Sequence, residues 1–176
     1  MNIDDQTEYY SSKEHIGTFV TVFRIIPREM INAVKARGVS VNSELKRRHP
    51  VESIFSASAK AHGNLTDRTR CVFAFPRDPR YGSTMPPYDP QHYALVTMRV
   101  DPNGAIVTDG DIFTQAGTDF LRGKRNSATR LANLYYDRAI PLAQYMSVQG
   151  NDIYGFMYPE VLLPTNVPAN RIEVIE

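Results

Sequence analysis

A chain of 176 residues, 42% hydrophobic and 22% charged, reads as a single soluble globular domain. A net charge of +1 excludes a strong overall pull toward nucleic acid or membrane, while leaving room for a local basic groove. The lone cysteine, Cys71, has no intrachain partner, which favours a reducing cytoplasm; it reads as a small buried hydrophobe rather than a nucleophile.

Residues 1–16 read as a polar N-terminal tail and 17–176 as one domain. The stretch Met1–His15 is acidic-leaning and unlike a signal peptide, and no run is apolar for long enough to span a membrane. Thr18–Ile26 is apolar and rich in β-formers, predicting a buried strand that Arg24 interrupts. Pro27 suits a first helical turn, Met30, Ile31 and Val34 follow at helical spacing, and Gly38 fits a C-terminal cap. Ser40–Glu52, with Lys46-Arg47-Arg48-His49-Pro50, reads as a loop or broken helix. Ser53–Ser56 is a short strand candidate, Ala57–His62 a helical turn stopped by Gly63-Asn64, and Arg70–Phe75 a further strand. Proline and glycine crowd Pro76–Pro90, predicting a long loop of the kind that is usually functional or disordered. Tyr93–Val100 alternates as a strand, Asp101–Gly104 is a turn, and Ala105–Thr108 returns as a short strand. Asp109–Leu121 predicts a helix. Arg122–Asn126 is a basic connector that reads as solvated, Ser127 caps a helix through Tyr136, and Pro141–Met146 predicts a helical turn. Tyr154–Leu163, interrupted by Glu160, and Arg171–Ile175 close the chain as strands. The order is that of an α+β fold with largely antiparallel or mixed sheets, not a doubly wound one.

The familiar cofactor and nucleophile signatures are absent. There is no P-loop, no GxGxxG, no GxSxG around Ser56, and no HExxH or CxxC, so zinc has no sequence support. His15, His49, His62 and His92 sit in polar or turn-like surroundings and suggest no metal cluster.

What the chain does carry is a pair of charges within apolar strands. Arg and Glu are almost never fully buried unless paired, and an unpaired buried charge is costly. Arg24 and Glu160 therefore read either as a structural ion pair or as two sides of a ligand cleft. Between them lies Phe55-Ser56-Ala57-Ser58, where a strand would place both serines on one face. A strand end or helix cap is the plainer account of those serines.

The order Val22-Phe23-Arg24-Ile25, then Ser56-Ala57-Ser58, then Tyr158-Pro159-Glu160-Val161-Leu162-Leu163-Pro164 with Val167-Pro168 and Ile172, resembles the ADP-ribosyltransferases of the Arg–Ser–Glu class. Val72-Phe73-Ala74-Phe75-Pro76-Arg77-Asp78-Pro79 and the closing segment are similar to the DarT-like members that modify DNA bases. That group usually carries a histidine where this chain has Arg24. The resemblance implies a split ADP-ribosyltransferase-like fold of largely antiparallel or mixed sheets with flanking helices, binding NAD as substrate between the sheets without a metal. It implies Glu160 as the catalytic carboxylate, stabilising an oxocarbenium-like ribosyl cation, and Arg24 as the forked cation for NAD. Ser56 and Ser58 would hold the ribose or Glu160, and Phe55, Tyr154 or Tyr81 would stack on nicotinamide. The residue two before the catalytic Glu helps choose the acceptor in the family. Here it is Tyr158, which disfavours arginine and leaves a nucleic-acid base or another protein side chain open. A toxin or effector role in the cytoplasm, or delivered into a target cell's cytoplasm, and an antitoxin or immunity partner are further implications. Two alternatives stand beside it: a non-catalytic nucleic-acid- or protein-binding module on the same fold, and an NAD glycohydrolase.

Overall fold

The computed structural model of the chain describes residues 19–41, 50–63, 66–81, 88–148 and 154–175. The expected tail at 1–16 lies outside the described residues, as does most of the expected loop at 40–52. The fold is α+β, and the two sheets among the described residues are antiparallel. One has the order β1 (Val20–Pro27), β3 (Tyr93–Val100), β7 (Ile172–Ile175). The other has the order β2 (Val72–Ala74), β6 (Pro159–Leu163), β4 (Ile106–Asp109), β5 (Ile140–Pro141). A bridge between Phe23 and Phe75 joins them: Phe23 N donates to Phe75 O at 2.8 Å and Phe75 N to Phe23 O at 2.6 Å. Strand β1, an edge of its own sheet, is thereby hooked onto the end of β2.

Period-2 alternation along the four-stranded sheet decides what each face buries. Val72, Ala74, Val107, Val161 and Leu163 face the first sheet and pack with Val22, Val96 and Met98. The intervening residues Ile106 and Leu162 face helices α2 (Glu52–Ala61), α3 (Gly110–Leu121) and α4 (Arg125–Asp137), meeting Phe55, Ala116, Ala132 and Tyr135. Glu160 has the parity of Leu162, so the strand pattern itself turns this carboxylate toward the helices.

Four expectations change. Ser53–Ser56 is not a strand but the first half of α2; Glu52, Phe55 and Ala59, at positions i, i+3 and i+7, bury one helical face, and Ala57, Ala59 and Ala61 are strong helix formers. The strand expected at 70–75 is cut to Val72–Ala74 by a 3-10 turn, Arg68–Arg70, whose Asp67 cap accepts from Thr69 N at 2.9 Å. The strand expected from Tyr154 begins only at Pro159. Ser127 lies inside α4 rather than capping it, and its hydroxyl donates to Asp119 at 2.6 Å, tying α3 to α4. Within the expected 76–90 loop, Pro79–Tyr81 is a 3-10 turn and residues 82–87 lie outside the described residues. None of the helices among the described residues is long and apolar enough to cross a membrane.

The Gly38 cap of α1 (Ile31–Arg37) is a clear case of a required glycine. Its φ is +80°, and a Cβ there would run into the Val167 carbonyl, which Val39 N uses at 2.9 Å. Gly38→Ala is expected to cost about 2 kcal/mol or more, combining the left-handed penalty with loss of the Val39–Val167 bridge. Equilibrium urea unfolding with an unchanged slope would check it; a wild-type midpoint would refute the assignment.

Candidate functional site

Arg24 and Glu160 come to one pocket. A cavity of about 200 Å³ at the seam of the sheets is lined by Arg24 and Ile25 of β1, Phe73 to Phe75 at β2, and Tyr158 and Glu160 at β6. Arg24 is anchored there by donating from one guanidinium nitrogen to the Phe73 carbonyl at 2.6 Å. Its Nε is buried and has no hydrogen-bond partner among the described residues. Burial pulls its pKa below the ordinary value. A buried donor left unmet is expensive and asks for an acceptor. Arg24 and Ile25 also line a second cavity of about 630 Å³, running under α1 past Met30 and Val34 to Arg37.

Glu160 does not pair with Arg24. Its Oε1 accepts from the Tyr135 hydroxyl at 2.5 Å and from Arg68 at 3.5 Å. Arg68 Nε donates to the same Tyr135 oxygen at 3.3 Å, and another of its nitrogens meets Glu52 at 2.9 Å. The Arg68 guanidinium lies 3.4 Å from the Phe113 ring centroid and 4.6 Å from that of Phe73, a cation held between aromatic faces. Burial opposes the charge on Arg68, but Tyr135, Glu160 and Glu52 outweigh it and hold its pKa above the ordinary value. Burial first, then the charge of Glu160, pushes the Tyr135 phenol well above its usual 10, so Tyr135 stays a donor.

Tyr158 completes the pocket. It is half-buried and edge-on to Phe75 at 5.7 Å, and burial followed by the Glu160 charge raises its pKa to about 12, keeping the phenol neutral. The preceding backbone is clamped by buried Asp109, which caps α3 through Asp111 N and accepts from Met157 N at 3.0 Å and Tyr158 N at 2.9 Å. Gly110 N closes the clamp on the Tyr158 carbonyl at 2.7 Å. A Cβ on Gly110 would fall 2.5 Å from Tyr158 Cδ1 and 3.3 Å from the Glu160 carboxyl carbon, so this glycine lets both side chains lie over the start of α3.

The other anticipated residues are not gathered here. Because Ser56 and Ser58 stand on a helix, they point apart. Ser56 donates to Asp67 at 3.1 Å and Ser58 to Asn133 at 2.7 Å, and neither lines the pocket. Phe55 is wholly buried, edge-on to Tyr135 at 5.0 Å. Tyr154 stacks on Tyr145 at 5.7 Å, and Tyr81 is 84% exposed. Ser56 opens instead on a cavity of about 690 Å³ beside Asp67, Arg70 and Pro164, at the other end of β2 and β6. There Asp67 Oδ1 is already engaged by Ser56, Thr69 N and the Thr69 hydroxyl, which marks it as a turn-forming group. Arg68, Tyr135 and Asp109 escaped the sequence reading. The available signal was a pair of tyrosines at helix positions that face inward with Ala128 and Ala132. No group of three or more His, Cys, Asp or Glu side chains suited to a metal ion occurs among the described residues. Comparison with protein-family models, with curated proteins and with solved structures found no match.

Proposed function

We propose that this chain is a mono-ADP-ribosyltransferase on a split ADP-ribosyltransferase-like fold, cleaving NAD at the nicotinamide–ribose bond and passing ADP-ribose to a macromolecular acceptor. The acceptor is a nucleic-acid base or a protein side chain. The observation that carries the reading is the convergence of Arg24, Glu160 and Tyr158 on one small aromatic pocket between two sheets, from strands far apart in sequence. Arg24 supports it further. Its unmet Nε suits a phosphate or carboxamide oxygen, and its position between the two cavities suits a ligand that is aromatic at both ends and anionic between them.

In the reaction, the bond from ribose C1′ to the nicotinamide nitrogen breaks, and its electron pair leaves with neutral nicotinamide. The acceptor's lone pair closes on C1′ and its proton goes to solvent. Glu160 stabilises the cation that builds on the ribose ring. It does so through Oε2, since the hydrogen bonds it receives from Tyr135 and Arg68 are on Oε1. Tyr158, neutral and at the pocket wall, offers an aromatic face or a hydrogen bond to the acceptor but no negative charge.

Calorimetry with NAD and an assay of nicotinamide release test the proposal. Wild type binds NAD and releases nicotinamide, and labelled NAD marks a macromolecule in lysate. Arg24→Met weakens NAD binding by about 10- to 100-fold, the worth of a charge-assisted hydrogen bond. Absence of both binding and release would refute the reading, and release without any labelled macromolecule would reduce it to an NAD glycohydrolase.

A further inference from the structure

Glu160 is held from behind. Tyr135 and Arg68 both reach Oε1, and neither lines the 200 Å³ pocket that Glu160 does line. They come from different elements, α4 and the 3-10 turn before β2, and each is fixed by further contacts. The Tyr135 ring is edge-on to Phe55 and to Tyr136, each at 5.0 Å, and the Tyr135 carbonyl accepts from the Thr108 hydroxyl at 2.6 Å. Thr108 is the residue opposite Glu160 in the β4–β6 ladder, so the helix carrying Tyr135 is docked on the strand position beside the carboxylate. Arg68 is spread over Glu52 of α2, Phe113 of α3, Phe73 of β2 and Tyr135 of α4. The hydrogen bonds run in one direction, from Arg68 to Tyr135 to Glu160, an arrangement in which each donor strengthens the next.

We infer that Tyr135 and Arg68 are positioning residues for Glu160, fixing the carboxylate by Oε1 in one rotamer so that Oε2 faces the pocket. The inference rests on the reading that Glu160 is the reacting carboxylate, and it assigns no contact with substrate to either residue. Because the network lies behind the pocket wall, it sets how well Glu160 meets a developing charge and not how NAD is held. The expected signature is thus a split between kcat and KM.

The experiment compares wild type, Tyr135→Phe and Arg68→Lys by steady-state nicotinamide release over a range of NAD concentrations, with crystal structures of wild type and Tyr135→Phe alongside. Tyr135→Phe keeps the ring and removes only the donor. It should lower kcat by about 10- to 100-fold with KM for NAD within about twofold. Arg68→Lys, which keeps the charge but not the fork, should fall between wild type and Tyr135→Phe. In the crystal, Glu160 of Tyr135→Phe should leave its wild-type rotamer or occupy more than one. An unchanged kcat, or a raised KM with unchanged kcat, overturns the inference. Should Tyr135→Phe fail to fold, Arg68→Lys carries the same two measurements. If wild type releases no nicotinamide, the NAD reading fails by itself. The crystal structures then decide the positioning claim alone, a retained single rotamer overturning it and a displaced one sustaining it.

Discussion

Glu160→Gln is expected to lower nicotinamide release by about 10²- to 10³-fold while leaving NAD affinity within about threefold of wild type. Glutamine keeps the shape of the side chain, and its carbonyl oxygen still accepts from Tyr135 and Arg68. What it loses is the negative charge that meets the ribosyl cation, an interaction that strengthens only as the transition state forms. The substitution should also be gentle on the fold. Arg68 meets two carboxylates, Glu52 and Glu160, and neutralising Glu160 leaves its ion pair with Glu52 in place. The thermal midpoint should shift by no more than a few degrees, so a lost rate would not be a lost fold. Equal rates for wild type and Glu160→Gln would remove Glu160 from the chemistry.

Long, strongly patterned elements were legible in the sequence, and the charged strand residues led to the pocket. Strand β3, its Asp101–Gly104 turn and helix α3 emerged close to their observed bounds because alternation, turn chemistry and a capping aspartate all agree there. Ser53–Ser56 was ambiguous for a physical reason: two apolar residues between two serines fit either period, and only Glu52 and Ala59, one turn before and after Phe55, reveal the helix. The change moves the serines as well, since two serines on one strand face become two serines on different helix sides. Arg24 and Glu160 stood out because each breaks an apolar run. Arg68 did not, because Asp67-Arg68-Thr69-Arg70 is polar throughout and reads as surface. What buries Arg68 is tertiary: it enters a slot between Phe113 and Phe73, from elements 45 and 5 residues away along the chain. The ion-pair alternative set Arg24 against Glu160, whereas the strand's parity turns the carboxylate to the helices and to Arg68.

Arg68→Met should be the most destabilising of these substitutions, at about 3–5 kcal/mol. Forming a buried ion pair gains little over well-packed apolar groups, but removing one partner leaves the others uncompensated. Here the loss is sharper, because Arg68 bonds both Glu52 and Glu160, and the three side chains are each 10% exposed or less. Without it Glu52 and Glu160 lose a shared buried cation, and the Phe113 and Phe73 rings lose its guanidinium. For a chain of this size the cost corresponds to a fall in thermal midpoint of about 6–20 °C. Adding Glu52→Gln removes one of the two carboxylates that met Arg68 and should recover about 1–2 kcal/mol, a coupling that independent sites would not show. Denaturant unfolding of the two single variants and the double variant reads this directly. If Arg68→Met unfolded within about 1 kcal/mol of wild type, water or rearranged side chains would be meeting those carboxylates. Glu160 would then not depend on Arg68 for its place in the fold.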